Sequence, residues 1–294
     1  MTEARDPKEI LKRIRKIEIV TRRLVNEQLA GSYHSVFKGR GMNFDDVRLY
    51  QAGDDIRSID WNVSARSDDT YVKTYVEERE LTVMLLVDVS RDGQFGTRDR
   101  LKADVAAEVG ALLAFSAITN NDRVGLVLFS DVVEHFVPPK KGKSHVLRVI
   151  RDILTFEPQG RGKRIEAGLD FLGHIARRKS VVFMLSDFYA AGWEPAVRIA
   201  RRRHDLVPVM VTDPLEDELR GAGLVAFEDP KSGEVLWRHT GGGFLSRFKK
   251  RAADNRQARE KAFRRMKLDF ISLRTGEPYT QALMQYFRLR ARRH

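Results

Sequence analysis

The chain has no cysteine in its 294 residues, which excludes disulfides, thiolate-bound metal and a cysteine nucleophile. It has no apolar run near the roughly 18 residues that a membrane-spanning helix needs. Its first ten residues, MTEARDPKEI, lack the apolar core of a secretory signal, so a cytoplasmic location is the expectation. Histidine is scarce, seven in all, with no pair in H-E-x-x-H spacing. A G-x-S-x-G elbow is also missing, so neither metal-dependent nor serine-based hydrolysis has a motif to start from. The glycines 241–243 lack a following Lys-Ser or Lys-Thr and are not a phosphate loop.

What is present is charge and enough apolar residues for a sizeable core. Hydrophobic residues make up 42% of the chain and charged residues 32%, with a net charge of +12. That balance raises nucleic acid or anionic lipid as partners. The cations are scattered through 177–179, 201–203, 249–251, 264–265 and the tail from Arg288, mostly where helices would end and the dipole favours them. No aromatic interleaving accompanies them, so they read first as a solvated surface.

The most informative stretch is Leu81 to Gly96, LTVMLLVDVSRDGQFG. The run Leu81 to Val87 suits a strand buried on both faces of a parallel sheet. Asp88, Ser90 and Asp92 follow at once, placing oxygen-bearing side chains where the strand ends. In open α/β sheets, ligands sit in the crevice beyond those ends. After it the pattern alternates. A helix over 98–119 carries Leu101, Val105, Val109 and Leu112 inward. Strands over 123–129 and 132–137 form a hairpin stopped by Pro138-Pro139, and Ser144 caps the next helix. A helix with Ile165, Leu169 and Leu172 leads to a strand over 181–185, ending in Ser186-Asp187-Phe188. A helix begun at Pro195 then leads to a strand over 206–211, closed by Asp213-Pro214. The expectation is an α/β, doubly wound, mainly parallel sheet of Rossmann type with N- and C-terminal extensions.

Three parts are drawn on that basis. Residues 1–80 hold a helix over 6–29, ended by Gly31, and a loop-rich segment packed on the core; 81–214 form the α/β domain. Residues 215–294 add a short hairpin, a basic helix, a strand and a last helix. The first helix has Ile10, Ile14, Ile17 and Leu24 on one side among many cations; docking on its own protein is preferred to membrane binding, since no Trp or Phe anchors the apolar face. In the segment before the core, Asp54, Asp55 and Asp60 could serve a metal-dependent nuclease. The plainer expectation is that they pair with Arg48, Arg57 and Arg66 to hold an irregular segment together.

The succession Phe44-x-x-x-Arg48-x-Tyr50-x-x-Gly53-Asp54-x-x-Arg57-x-Ile59-Asp60-Trp61-x-x-x-Ala65-Arg66 resembles the bacterial domain-of-unknown-function 58 family. So do Asp122-Arg123-Val124-Gly125, Ser186-Asp187-Phe188, and His204-Asp205 leading to Asp213-Pro214. The resemblance spans roughly residues 30 to 290 and implies a von Willebrand factor A-like fold. It also implies a non-enzymatic adaptor or chaperone-like role beside a MoxR-type AAA+ ATPase.

Von Willebrand A domains commonly carry a metal-ion-dependent adhesion site: Asp-x-Ser-x-Ser after the first strand, a Thr from a second loop and an Asp after a later strand. By that resemblance Asp88 and Ser90 match, Asp92 replaces the last Ser, and Asp187 is the later Asp. Lys163 falls where the Thr belongs, with Arg164 beside it. A charged ammonium donates hydrogen bonds and cannot ligate a cation, whereas Mg²⁺ wants near-octahedral oxygen ligands. The expectation is therefore a degenerate site with no cofactor, Mg or Mn entering only if Lys163 is tolerated. The remaining rivals are a polyanion-binding protein and, behind it, the nuclease.

Overall fold

The computed structural model describes residues 7–24, 33, 36–37, 43–67, 69–76, 80–97, 100–160, 162–229 and 232–292. In chain order the first elements are α1 (Pro7–Leu24), β1 (Asn43–Leu49), the single turn α2 (Trp61–Ser64), β2 (Tyr71–Val76) and β3 (Thr82–Asp88). Then come α3 (Lys102–Thr119), β4 (Arg123–Phe129), β5 (Val133–Lys140), α4 (Lys143–Thr155), α5 (Ile165–Ile175) and β6 (Val181–Ser186). The chain continues through α6 (Glu194–Arg203), β7 (Asp205–Thr212), α7 (Pro214–Asp217), β8 (Leu224–Glu228) and β9 (Val235–His239). It closes with α8 (Gly243–Arg265), β10 (Ile271–Arg274) and α9 (Tyr279–Ala291). The parts of the first helix expected beyond residue 24 and its stop at Gly31 lie outside the described residues, as do 98 and 99; the helix expected from residue 98 begins at Lys102, with Leu101 extended as its cap.

Six strands form one sheet in the order β10-β7-β6-β3-β4-β5. All neighbours are parallel except the β4–β5 hairpin. The doubly wound, mainly parallel sheet is thus present. From β3 the chain builds outward one way through β4 and β5, then returns to build the other way through β6, β7 and β10. The reversal lies between β3 and β6, so the ends of these two neighbouring strands flank the crevice in which this architecture binds ligands.

The apolar runs explain the layering. Val83 to Val87 are 0–2% exposed, and every residue of β6 is buried, as strands covered on both faces require. Helix α3 is buried nearly all round, its alanines 106, 107, 111 and 114 included. A helix apolar on every side needs neighbours on every side, and α1 and α4 both pack against it. On α1, Ile14, Ile17 and Thr21 are buried while Ile19 and Val20 face solvent. Among the described residues, no helix is long and apolar enough to cross a membrane.

Two local expectations shift. Strand β5 runs through Pro138 and Pro139 to Lys140 instead of stopping before them, because it is an edge strand and can spare the missing N–H groups. The cap of α4 is Gly142, at φ 97°, so Ser144 lies inside the first turn.

By its contacts the chain divides into residues 1–36 with 82–294, and residues 37–81. This differs from the boundaries drawn at 80 and 214. Helix α1 groups with the sheet because it packs on α3 and α4. The C-terminal part cannot be separated because β10 pairs with β7 as a sixth strand, and Phe263 of α8 is fully buried between Phe188 and Trp193. In the smaller unit β1 and β2 pair antiparallel, with a bulge between Phe44 and Asp46. Strand β1 lies in sequence that reads as loop.

Candidate functional site

Where β3 leaves the sheet, Asp88 Oδ1 accepts from the Ser90 N–H at 3.0 Å, and its Oδ2 accepts from the hydroxyl of Ser186 at 2.6 Å. Ser186 ends the neighbouring β6, so one bond ties the two strand ends at the reversal point. Asp187 comes next, and its Oδ1 accepts from the Tyr189 N–H at 2.9 Å. Phe188 between them has φ 57°, a left-handed conformation that is costly for a bulky residue. The turn sends the Phe188 ring into the core, 5.0 Å from the Phe263 ring centroid and 5.4 Å from that of Trp193, while the Asp187 carboxylate enters the crevice.

The loop between α4 and α5 supplies the counter-charge. The Arg164 N–H donates to the Ser130 carbonyl at 2.9 Å, which pins this loop to the end of β4. Lys163 then reaches inward. Its Nζ lies 2.6 Å from Asp187 Oδ1, 2.8 Å from Asp92 Oδ2 and 3.4 Å from Asp88 Oδ2, with the lysine side chain 3% exposed. A second ammonium completes the network. Lys102, first residue of α3, has its Nζ 2.8 Å from Asp187 Oδ2 and 2.5 Å from Glu216 Oε1. Each oxygen of Asp187 thus faces one lysine. Glu216 is held in turn, its Oε2 accepting from the Asp213 N–H at 2.9 Å. Asp213, fully buried, accepts from the hydroxyls of Thr97 and Thr275 and from the N–H groups of Thr97 and Leu215.

Burial alone would push the Lys163 ammonium down, but Asp88, Asp187 and Asp92 outweigh it and hold its pKa far above the usual lysine value. Lys102 behaves alike: burial opposes, and Asp187 and Glu216 prevail. Burial would raise Asp187, yet Lys163 and then Lys102 keep it well below the carboxylate range. Glu216 goes the other way, raised by burial, with Lys102 offsetting only part of it. The hydroxyl of Ser90 is buried with no hydrogen-bond partner among the described residues.

These side chains do not fit a divalent cation. The space among the three aspartates holds the Lys163 ammonium, a donor that cannot ligate a metal. Among the described residues no group of three or more His, Asp or Glu is set out to hold one.

The structure brings together Asp88, Ser90, Asp92, Lys163 and Asp187. Arg164 does not join them: it is the extended cap residue before α5 and its side chain is exposed. Lys102 and Glu216 carry no sequence signal of their own, whereas Ser186 stands in the strand-end run that the sequence singles out. Lys102 reads as an ordinary polar residue at a helix start, and Glu216 as a first-turn acid.

The smaller unit uses its acids locally. Gly53, at φ 110°, shapes the turn in which Asp54 takes a two-pronged bond from Arg48 at 2.7 and 2.6 Å, and another from the Gln51 N–H. Asp55 caps the turn Ile56–Ser58 by accepting from the Arg57 N–H. Asp60 caps α2 through the N–H groups of Asn62 and Val63 and lies 3.8 Å from Lys73. The expected pairing with arginine guanidinium groups therefore holds for Asp54, while Asp55 and Asp60 are taken by backbone donors. Arg57 and Arg66 are exposed, as are Ile56 and Trp61, each at 65%. The three acids do not converge on a shared point as a nuclease would require.

Several cations of the basic runs, and Arg256 near them, have partners inside the chain. Arg201 donates to the Met266 carbonyl, Arg203 to that of Gly173, and Lys249, Arg256 and Arg264 pair with Glu218, Asp217 and Glu260.

The sequence model of the family described as "Protein of unknown function DUF58" matches residues 46–258. An uncharacterized protein of Mycobacterium tuberculosis is 28% identical over 290 residues, 98% of this chain and 91% of its own length. Another, of Mycobacterium avium, is 24% identical over 159 residues, 53% of this chain and 94% of its own. Among solved structures, the conserved hypothetical protein BatB of Bacteroides thetaiotaomicron aligns at TM-score 0.47 and 13% identity, covering 72% of this chain and 99% of that one. The SpRpn10 VWA domain aligns at TM-score 0.38 and 11% identity, covering 70% and 94%.

Proposed function

Since the chain belongs to the DUF58 family, we propose that it is a cytoplasmic, non-enzymatic adaptor that binds another protein at the crevice between the ends of β3 and β6. Lys163 takes the place of a divalent cation there, so no metal is recruited and the partner is held by direct polar and apolar contacts. The partner is a MoxR-type AAA+ ATPase, the class that the sequence resemblance implies, and the complex assists the assembly or activation of other proteins.

The observation behind the metal-free reading is the Lys163 Nζ lying 2.6–3.4 Å from Asp187, Asp92 and Asp88. Calorimetric titration with Mg²⁺ and Mn²⁺ tests it: no binding to the wild type is expected, while Lys163→Thr, which leaves the three acids and the Ser90 hydroxyl uncompensated, gains an affinity. Tight binding by the wild type ends the reading. For the partner, the full chain is co-expressed with the MoxR-type ATPase of the same cell and purified with and without nucleotide. Failure to co-purify under both conditions removes the ATPase from the proposal.

A further inference from the structure

Beyond the cluster, the crevice opens into a cleft of about 1240 Å³. Small-molecule pockets run to roughly 300–1000 Å³, so this one has room for several side chains of a peptide. It begins at Asp92, Lys102, Asp187 and Glu216 and runs between the end of α4 and the face of α8. The walls are aromatic: Phe95, Phe156, Tyr189, Phe227 and Phe248 all line it. Phe95 and Tyr189 are 43% and 37% exposed. The Arg259 guanidinium, buried and 3.7 Å from the Tyr189 ring centroid, fixes one wall in place.

Its charge runs against that of the chain. The lining holds five acids, Asp92, Glu157, Asp187, Glu216 and Glu228, against three cations, Arg91, Lys102 and Arg251. Lys102 is committed to Asp187 and Glu216, and Lys163 to Asp187, Asp92 and Asp88. The floor thus sets four acids against two lysines and keeps a net negative charge, while Glu157 and Glu228 stand at the rim. A protein of net charge +12 thus presents an acid-rich cleft at the edge where its fold binds ligands.

Resting on the docking face described above, we propose that this cleft binds a short segment of the partner protein whose apolar side chains alternate with lysine or arginine. The apolar groups fill the aromatic walls and the cations meet Glu157 and Glu228 at the rim, above a floor whose acids outnumber its lysines. The site therefore has the opposite preference to a metal-dependent adhesion site, which takes an acid from its partner. Helix-in-groove recognition by i, i+3, i+4 anchors is the simplest form of such a segment.

The overall charge and the cleft predict opposite outcomes for one experiment. Two labelled synthetic peptides share leucine and phenylalanine at helical spacing; one has lysine at every polar position and the other glutamate. Each is titrated with the full chain by fluorescence polarisation. The lysine peptide is expected to bind, and the glutamate peptide to bind at least about tenfold more weakly. The double variant Glu157→Lys, Glu228→Lys changes two exposed rim residues and should weaken the lysine peptide by about tenfold or more. Equal or stronger binding of the glutamate peptide, or indifference to the double variant, overturns the proposal. If neither peptide binds while the double variant abolishes co-purification of the ATPase, the docking face survives and the basic-apolar chemistry falls. If the lysine peptide binds and the ATPase never co-purifies, the cleft chemistry survives and the ATPase falls.

Discussion

Two sets of three aspartates serve opposite ends. Asp88, Asp92 and Asp187 come from two strand ends and converge on one ammonium out of solvent. Asp54, Asp55 and Asp60 stand within seven positions of one another, and each closes a turn or cap of its own. The first set is a product of topology, the second of local chain chemistry. Only the first concentrates charge at one point, and only the first can be wrecked by one distant substitution. Nearness in sequence is thus a poor guide to a shared site, because neighbouring acids are the ones most easily taken by adjacent backbone donors.

The contrast can be broken or sharpened by a graded series. Lys163→Met should have the largest effect, a loss of about 3–5 kcal/mol at neutral pH in urea unfolding, because buried carboxylates lose their counter-charge. The loss should shrink as the pH is lowered and the carboxylates can take up protons. A neutral-pH loss below about 1 kcal/mol, the range of an exposed pair, would remove the distinction between the two sets.

The wild type supplies the pH arm. The folded-state pKa of Asp187 is depressed, so the stability it contributes is present above the ordinary value of about 3.9 and is lost as pH falls below that toward the folded value. The pKa values of Lys163 and Lys102 are raised; their contribution is complete below about 10.4 and is lost only as pH rises through the folded values. The contribution of these three groups should therefore be flat between about pH 4 and 10, falling on both sides. Urea midpoints measured across that range and on both sides of it check this, with Lys163→Met as the reference that keeps only the Lys102 pair with Asp187.

A smaller effect is expected from Asp60→Ala, which strips two backbone N–H groups of their cap and should cost about 1 kcal/mol. Faster hydrogen exchange over 61–64 would localise the loss to α2. The least is expected from Asp54→Asn. Its bond to Arg48 is at the surface, and such pairs contribute little, so the urea midpoint should not move and added salt should make no difference.

Much of the sheet was legible because its strands are apolar runs ended by turn or charged residues, and Leu81–Asp88 is the plainest of them. The first lysine was legible too, through the loop in which the family resemblance sets Lys163 where a threonine is expected. Lys102 and Glu216 were not: each joins the cluster only because α3 and α7 start at the same sheet edge, a fact of strand order and not of spacing. The sixth strand was seen as a strand but not as part of the sheet, since four residues carry no information on their neighbour. Strand β1 was hidden because Asn43–Leu49 includes Asp45, Asp46 and Arg48, a composition that suits a loop. Acid-arginine pairing in the smaller unit was overestimated because local backbone donors are already in position, whereas a guanidinium must give up side-chain freedom to reach a carboxylate.

The left-handed residue after Asp187 has a mechanical consequence. Because Phe188 turns its ring onto Phe263 while its neighbour's carboxylate holds two lysines, the aromatic core and the charged crevice share a single peptide bond as their hinge. Phe263 belongs to α8, which also lines the cleft, so one helix borders both the aromatic core and the charged crevice.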